Sequence, residues 1–429
     1  MVTEREGGPA AGPAKATAWT ALVTTAFMSL VVTGAVGISQ GIFAVYWVRD
    51  LGASRGSIMA AGVSASIIGG FMAVPMGRLL AGRLHAHVLL AFGAVCGAVS
   101  CLLFALATEV WQIVLTLAVT VALALAATGP LVGQSLAVRL FPKPGFAISI
   151  VGLGMKGASA IMPVVVALMI ERWSFKIALG VMAIIVLATG PLAFLLVRPV
   201  ARIRAPAASV EKPRAPDASV SAMSIIGDSG FWGLILLTFP MVGLSSSFLR
   251  NMALYVVELG GKPKDAAFMY TLSTVCSAAI LPLVGKATDR FDLRLLLIAS
   301  IVLIAGAVGL LSFTPSIPGL MGASMGFSFS TAIFIPSFAM VLRARFGVAL
   351  FPRANGLAQP FFYIASLLAL LTGALRDRLD SYATTFQIVG MTTPLAVVGY
   401  IVVARALGRP AFQADDGLQR VETGEVRTA

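Results

Sequence analysis

The sequence predicts an all-α membrane protein whose twelve transmembrane helices form two pseudo-symmetric six-helix bundles. Three observations carry this expectation. Of 429 residues, 58% are hydrophobic and 11% charged, whereas about 25% are charged in an ordinary soluble domain. The apolar residues gather into twelve runs, each near the ~20 residues that a helix needs to cross a bilayer. A polar, proline-bearing break separates the first six runs from the last six. Such a chain has too few polar groups to cover a soluble surface, which excludes a soluble enzyme, a secreted disulfide module and a disordered chain. Its apolar runs are continuous and lack the alternation of barrel strands, so the spans are helical.

In chain order, Met1 to Thr17 is polar and rich in Pro, Gly and Ala, and is expected as a cytoplasmic tail rather than a cleavable signal. The first bundle, residues 18–197, holds spans at roughly Ala18 to Val45, Ser57 to Leu79, Val88 to Ala107, Trp111 to Leu136, Phe146 to Ile170 and Ile177 to Val197. Residues 198–228 carry Pro199, Pro206, Pro213 and Pro216 among mixed charges; they have no apolar face to bury and are expected as a flexible cytoplasmic linker. The second bundle, 229–405, holds spans at Phe231 to Val257, Ala266 to Val284, Leu295 to Phe313, Ile317 to Leu342, Gly356 to Leu375 and Ala383 to Val403, with a cytoplasmic tail over 406–429.

The net charge of +13 belongs to the loops. With both termini inside, 21 of the 31 Lys and Arg fall in inside segments and 8 in outside ones, leaving Lys156 and Arg250 within spans. That asymmetry orients the chain with N- and C-termini cytoplasmic and accounts for the basic balance without a nucleic-acid partner. A plasma membrane of the bacterial inner-membrane type is the expected location, with membrane lipids and a small anionic substrate as partners and a monomer as the working unit. Cys96, Cys101 and Cys276 sit in apolar runs and form no disulfide framework. His85 and His87, the only histidines, share one loop, so neither a metal site nor another cofactor is expected.

The halves are related. Leu140-Phe141-Pro142-Lys143, after span 4, matches Leu350-Phe351-Pro352-Arg353, after span 10, at an offset of 210; Gly77-Arg78, after span 2, matches Gly285-Lys286, after span 8, at 208. Two loop pairs at nearly one offset imply a six-helix unit used twice.

These loops bring the chain close to a known family. Gly285 to Arg294 resembles the hallmark G-x-L-a-D-R-x-G-r-r loop of the major facilitator superfamily, keeping Gly285, Asp289, Arg290 and the final basic Arg294, with Asp292 at the second Gly. In the first half Ala81 stands where the Asp should be. The resemblance implies that Asp289 helps to close the inward face by accepting hydrogen bonds at a helix start of the opposite half, near Gly145. A carboxylate there complements the helix dipole. Within the superfamily, Asn251 to Gly260, Leu140 to Ala147 and Gly152 to Pro163 resemble the oxalate/formate antiporter and monocarboxylate transporter group, although the charged pair this group often carries in span 8 is missing.

The chemistry concentrates on two intramembrane cations. A charge at a span centre costs roughly 2.5 kcal/mol or more. Lys156 lies near the middle of span 5 on a stripe of small and polar residues, Ser149, Gly152, Lys156, Ser159 and Pro163. Arg250 lies near the outer end of span 7 beside Asn251. No Asp or Glu falls within a span, so the two cations lack a buried partner and favour an anion from outside the protein. Gln40, Gln134, Tyr270, Ser328, Gln359 and Tyr363 are the remaining polar candidates for a cavity lining. An intramembrane enzyme would need a nucleophile, acid pair or metal cluster that the spans lack, and nothing suggests the filter of a channel. The expected function is secondary active transport of a small mono- or dicarboxylate by alternating access, as antiport or proton-linked co-transport. The alternative is proton-coupled efflux of drugs or other small metabolites.

Overall fold

The computed structural model describes residues 12–52, 55–82, 85–202 and 222–408. Most of the linker, residues 203–221, and the two tails up to 11 and beyond 408 lie outside the described residues. The first bundle comprises α1 (Lys15–Leu51), α2 (Arg55–Ala81), α3 (Ala86–Leu106), α4 (Val110–Leu140), α5 (Gly145–Arg172) and α6 (Phe175–Val197). The second comprises α7 (Ser229–Glu258), α8 (Pro263–Thr288), α9 (Leu293–Phe313), α10 and α11 as the two arms of Ile317–Leu379, and α12 (Tyr382–Leu407). Among the described residues, 11 stretches are long and apolar enough to cross a membrane, because α10 and α11 run into one another. They part at Gly347, whose φ of 68° and ψ of 179° are open to glycine and turn the chain.

Two boundaries differ from the sequence expectation. The first helix begins at Gly12 rather than near residue 18, and its span continues to Leu51, so Arg49 and Asp50 occupy a last helical turn closed by Gly52 at φ 62°. Leu350 to Asn355, expected to precede the span that begins at Gly356, already belongs to α11, with Pro352 inside the helix.

Successive helices cross in alternate directions. The linker ends, the 141–144 connection and the 289–292 connection therefore share one side, termed here the linker side. Each bundle has its own aromatic core. Phe43, Trp47 and Phe104 pack in the first; Phe248, Tyr255 and Phe386 pack in the second, where the Tyr255 hydroxyl donates to the Leu311 carbonyl at 2.8 Å. Charges that enter the protein body on the linker side are paired: Asp228 caps α7 through the Phe231 amide and forms a 2.7 Å ion pair with Arg345 at the end of α10.

The halves meet most tightly at two symmetry-related crossings on the linker side. In one, Gly77 of α2 faces Gly356 of α11; in the other, Gly285 of α8 faces Gly145 of α5. A Cβ at Gly356 would lie 2.7 Å from the Ala73 carbonyl oxygen and 3.2 Å from Gly77 Cα; one at Gly285 would lie 2.6 Å from the Gly145 carbonyl oxygen. Only glycine allows helix backbones this close. Gly356→Val should therefore wedge the linker side apart. Spin labels on the exposed Leu79 of α2 and Val348 of α11 are expected to report a longer inter-half distance in the variant than in the wild type; superimposable distributions would contradict it.

Candidate functional site

A cavity of about 420 Å³ lies between the bundles. The first half contributes Ser66 from α2, Pro130 and Gln134 from α4, and Ser149, Gly152, Met155, Lys156 and Ser159 from α5. The second contributes Val242, Ser246 and Arg250 from α7, Leu281 from α8, Thr331, Ile335 and Phe338 from α10, and Asn355, Gln359, Phe362 and Tyr363 from α11. Lining positions recur every three or four residues, as one face of a helix must: 149, 152, 156 and 159 on α5; 242, 246 and 250 on α7; 355, 359 and 363 on α11.

The structure brings Lys156, Arg250, Gln134, Gln359 and Tyr363 into this one space. It leaves out Asn251, Gln40, Tyr270 and Ser328. Asn251 follows Arg250 by one residue and so points about 100° away around a helix of 3.6 residues per turn. Its amide donates to the carbonyls of Ser247 and Ala369 at 2.9 and 3.3 Å, inside the second bundle. The Gln40 amide turns back onto the Val36 carbonyl at 2.9 Å. Tyr270 packs against the core of its own bundle. Pro163, the last residue of the α5 stripe, does not line the cavity either.

Depths follow from the helical rise of about 1.5 Å per residue, counted from the linker-side helix ends. By that measure Lys156 stands about 16 Å in, and Arg250 about 31 Å in, so the cations occupy two levels some 15 Å apart. Lys156 is half-buried, while Arg250 is exposed near the far end of α7. Neither makes an ion pair or hydrogen bond among the described residues, and no acidic side chain lines the cavity.

Beneath Lys156 the cavity has a polar floor, part of which the sequence did not reveal. Asn355, completely buried, donates from Nδ2 to Gln134 Oε1 at 2.8 Å across the two halves, and Gln359 donates from Nε2 to Asn355 Oδ1 at 3.1 Å. Asn355 lies four residues before Gln359 on the same helix face, and that spacing was the available signal. Below the floor, Asp289 at the end of α8 accepts from both leading amides of α5, Gly145 N at 2.7 Å and Phe146 N at 2.9 Å. Lys286 stands over the Phe146 ring at 5.3 Å, Trp19 packs on Phe141 and Phe146, and Arg343 donates to the Pro142 carbonyl at 2.9 Å. Arg290 is exposed and joins none of these contacts. At the symmetric position α2 ends in Ala81, which carries no carboxylate for the start of α11. The linker side is thus shut by two glycine crossings, one amide chain and one carboxylate cap.

A family model described as Major Facilitator Superfamily matches residues 25–262. The chain belongs to the major facilitator superfamily. No curated protein sequence matches it. Among solved structures, the human organic anion transporter MFSD10 (TETRAN) is similar over 92% of this chain and 100% of that one, at 13% identity and a TM-score of 0.67. FucP in the outward conformation is similar over 90% and 98%, at 15% identity and a TM-score of 0.66. A second structure of the Escherichia coli fucose:proton symporter FucP covers 89% and 98%, at 18% identity and a TM-score of 0.63. These likenesses establish the twelve-helix fold. Membership in the superfamily makes the chain a multi-pass membrane transporter rather than an enzyme.

Asp289→Asn tests what the carboxylate cap contributes. It keeps the shape, removes the charge from the α5 dipole and leaves one oxygen for two amides. Hydrogen bonds to charged groups contribute roughly 1.5–3 kcal/mol, so the linker side should open measurably more often. The expected readout is faster thiol labelling of a single cysteine placed at Ser149, just inside that side. Unchanged labelling would make Asp289 an ordinary turn residue.

Proposed function

We propose that the chain is a secondary carrier of a small organic anion, a mono- or dicarboxylate, working by alternating access. The observation that carries this reading is Lys156: a cation inside a cavity between the halves, with no protein partner and no acid in the lining. A desolvated ammonium without a counter-charge is unfavourable by several kcal/mol, and a carboxylate supplies both the charge and the hydrogen-bond acceptors. The resemblance of three stretches to the oxalate/formate antiporter and monocarboxylate transporter group points to the same class of substrate.

The excess of Lys and Arg in the linker-side segments makes that side cytoplasmic, in a plasma membrane of the bacterial inner-membrane type. The cavity then faces outward. Arg250, near the outer mouth, raises the local concentration of anions, and Lys156, about 15 Å deeper, receives them. Passage inward requires the floor to part. Gln359 lines the cavity and donates from Nε2 to Asn355 Oδ1, so a carboxylate at Lys156 is placed to compete with Asn355 for that N–H and to loosen the chain whose next bond runs from Asn355 Nδ2 to Gln134 Oε1. Loss of the Asn355–Gln134 bond would free one half from the other, and Asp289 would then release α5.

The same charge sets the coupling. With an anion bound, the occluded site is neutralised; empty, it would have to close around a bare ammonium. Return without cargo is therefore disfavoured, which selects exchange. Co-transport with a proton remains compatible only if the proton travels on the substrate or on a group other than a buried carboxylate.

Reconstituted protein should take up external carboxylate faster when liposomes are preloaded with carboxylate. Lys156→Ala should cut that exchange at least tenfold while leaving expression, membrane insertion and monodispersity unchanged. Wild-type exchange in Lys156→Ala would contradict the proposal.

A further inference from the structure

The walls of the cavity specify more of the cargo than its charge. This inference rests on the reading that the site binds an organic anion. Lys156 and Arg250 both line the cavity, but at different levels: Arg250 lies about 15 Å nearer the far side by helical rise. Across from α5, the second half presents an aromatic wall. Phe362 of α11 is half-buried at the cavity and meets Phe338 of α10 at 88° with ring centroids 5.0 Å apart; Phe338 is itself 2% exposed and backed by Phe334 at 5.8 Å. By helical rise these two phenylalanines lie about 13 and 21 Å from the linker-side ends, on either side of the Lys156 level at about 16 Å. Ile335 extends the apolar surface along the same face of α10. An edge-to-face pair locked by a third ring loses little freedom when a ligand packs on it.

We infer that the substrate is a one-headed amphipathic anion: a monocarboxylate whose carboxylate meets Lys156 and whose aromatic or comparably bulky apolar body packs on Phe362 and Ile335. A compact dianion fits poorly. Its second carboxylate would lie against the apolar side of the cavity, since Arg250 stands about 15 Å nearer the far side by helical rise. It would also leave Phe362 and Ile335 wetted. The amphipathic monoanion satisfies both walls at once. Because Lys156 belongs to the first half and Phe362 and Ile335 to the second, such a ligand bridges the two halves.

Binding to the purified full-length protein in nanodiscs distinguishes these cargoes, with acetate, benzoate, oxalate, succinate and neutral benzyl alcohol as probes. Benzoate is expected to bind roughly 50-fold more tightly than acetate, the scale set by removing about 100 Å² of apolar surface from water. Oxalate and succinate are expected to bind no more tightly than acetate. Ile335→Ala, and independently Phe362→Leu, which keeps bulk and removes the ring, should each shrink the benzoate-to-acetate ratio to a few-fold while acetate affinity stays put. Oxalate or succinate outcompeting benzoate would overturn the inference and leave the anion reading standing, as would a benzoate-to-acetate ratio unaltered in both folded variants. Benzyl alcohol binding as tightly as benzoate, or no binding by any of the four anions, would overturn the anion reading itself.

Discussion

A lone ammonium between two apolar bundles carries an electrostatic cost, and Lys156 is a cation so placed. Its side chain lines a cavity between the bundles, and among the described residues no carboxylate answers it. Elsewhere the protein treats charge differently. Asp228 and Arg345 enter the linker side as a 2.7 Å pair, and Glu258 at the far side meets Arg376 at 3.3 Å. On the proposed reading, the Lys156 charge is met by a ligand, and exchange follows because the state that closes is the one that is neutral.

The gate is pseudo-symmetric in backbone and asymmetric in chemistry. Gly77 with Gly356 and Gly285 with Gly145 bring the helices together at equivalent places in the two halves. Asp289 then caps α5 with two short hydrogen bonds, whereas Ala81 offers α11 nothing. Closure at the α2–α11 crossing rests on glycine packing and on the Asn355–Gln134 amide bond instead. Neutral amides exchange partners more readily than a charge-assisted cap. The weaker seam is therefore the one that contains cavity-lining groups, and on the proposed reading the substrate acts there.

Much of this was legible before any coordinates. Hydropathy and loop charge fixed the spans, the offset of about 210 residues revealed the doubled unit, and the hallmark loop pointed Asp289 toward Gly145. The α5 stripe was legible because its small and polar residues stand out in an apolar helix. Legibility ended where helix rotation decides. Asn251 and Tyr270 are polar residues on cavity-forming helices whose faces turn into their own bundle, and a span predicted without its phase cannot separate them from Ser246 or Gln359. Phe338 and Phe362 carried no signal at all, because a phenylalanine in a membrane helix suits lipid, core and cavity equally well. The start of α11 was misplaced for a related reason: Leu350 to Asn355 looks like a loop by Pro352 and Arg353, yet Gly347 supplies the turn.

The account stands or falls on whether Lys156 is an unpaired charge held for an anion. Replacing it with methionine, which preserves length and apolar packing, separates the two possibilities in one thermal-unfolding titration against a carboxylate. The wild type should gain stability with ligand concentration as binding linkage requires. Lys156→Met should start out more stable than the wild type without ligand, because the desolvated charge is gone, and should show no further gain when ligand is added. If instead Lys156→Met is the less stable protein without ligand, or gains as much from carboxylate as the wild type does, the lysine is a structural residue and the central claim fails.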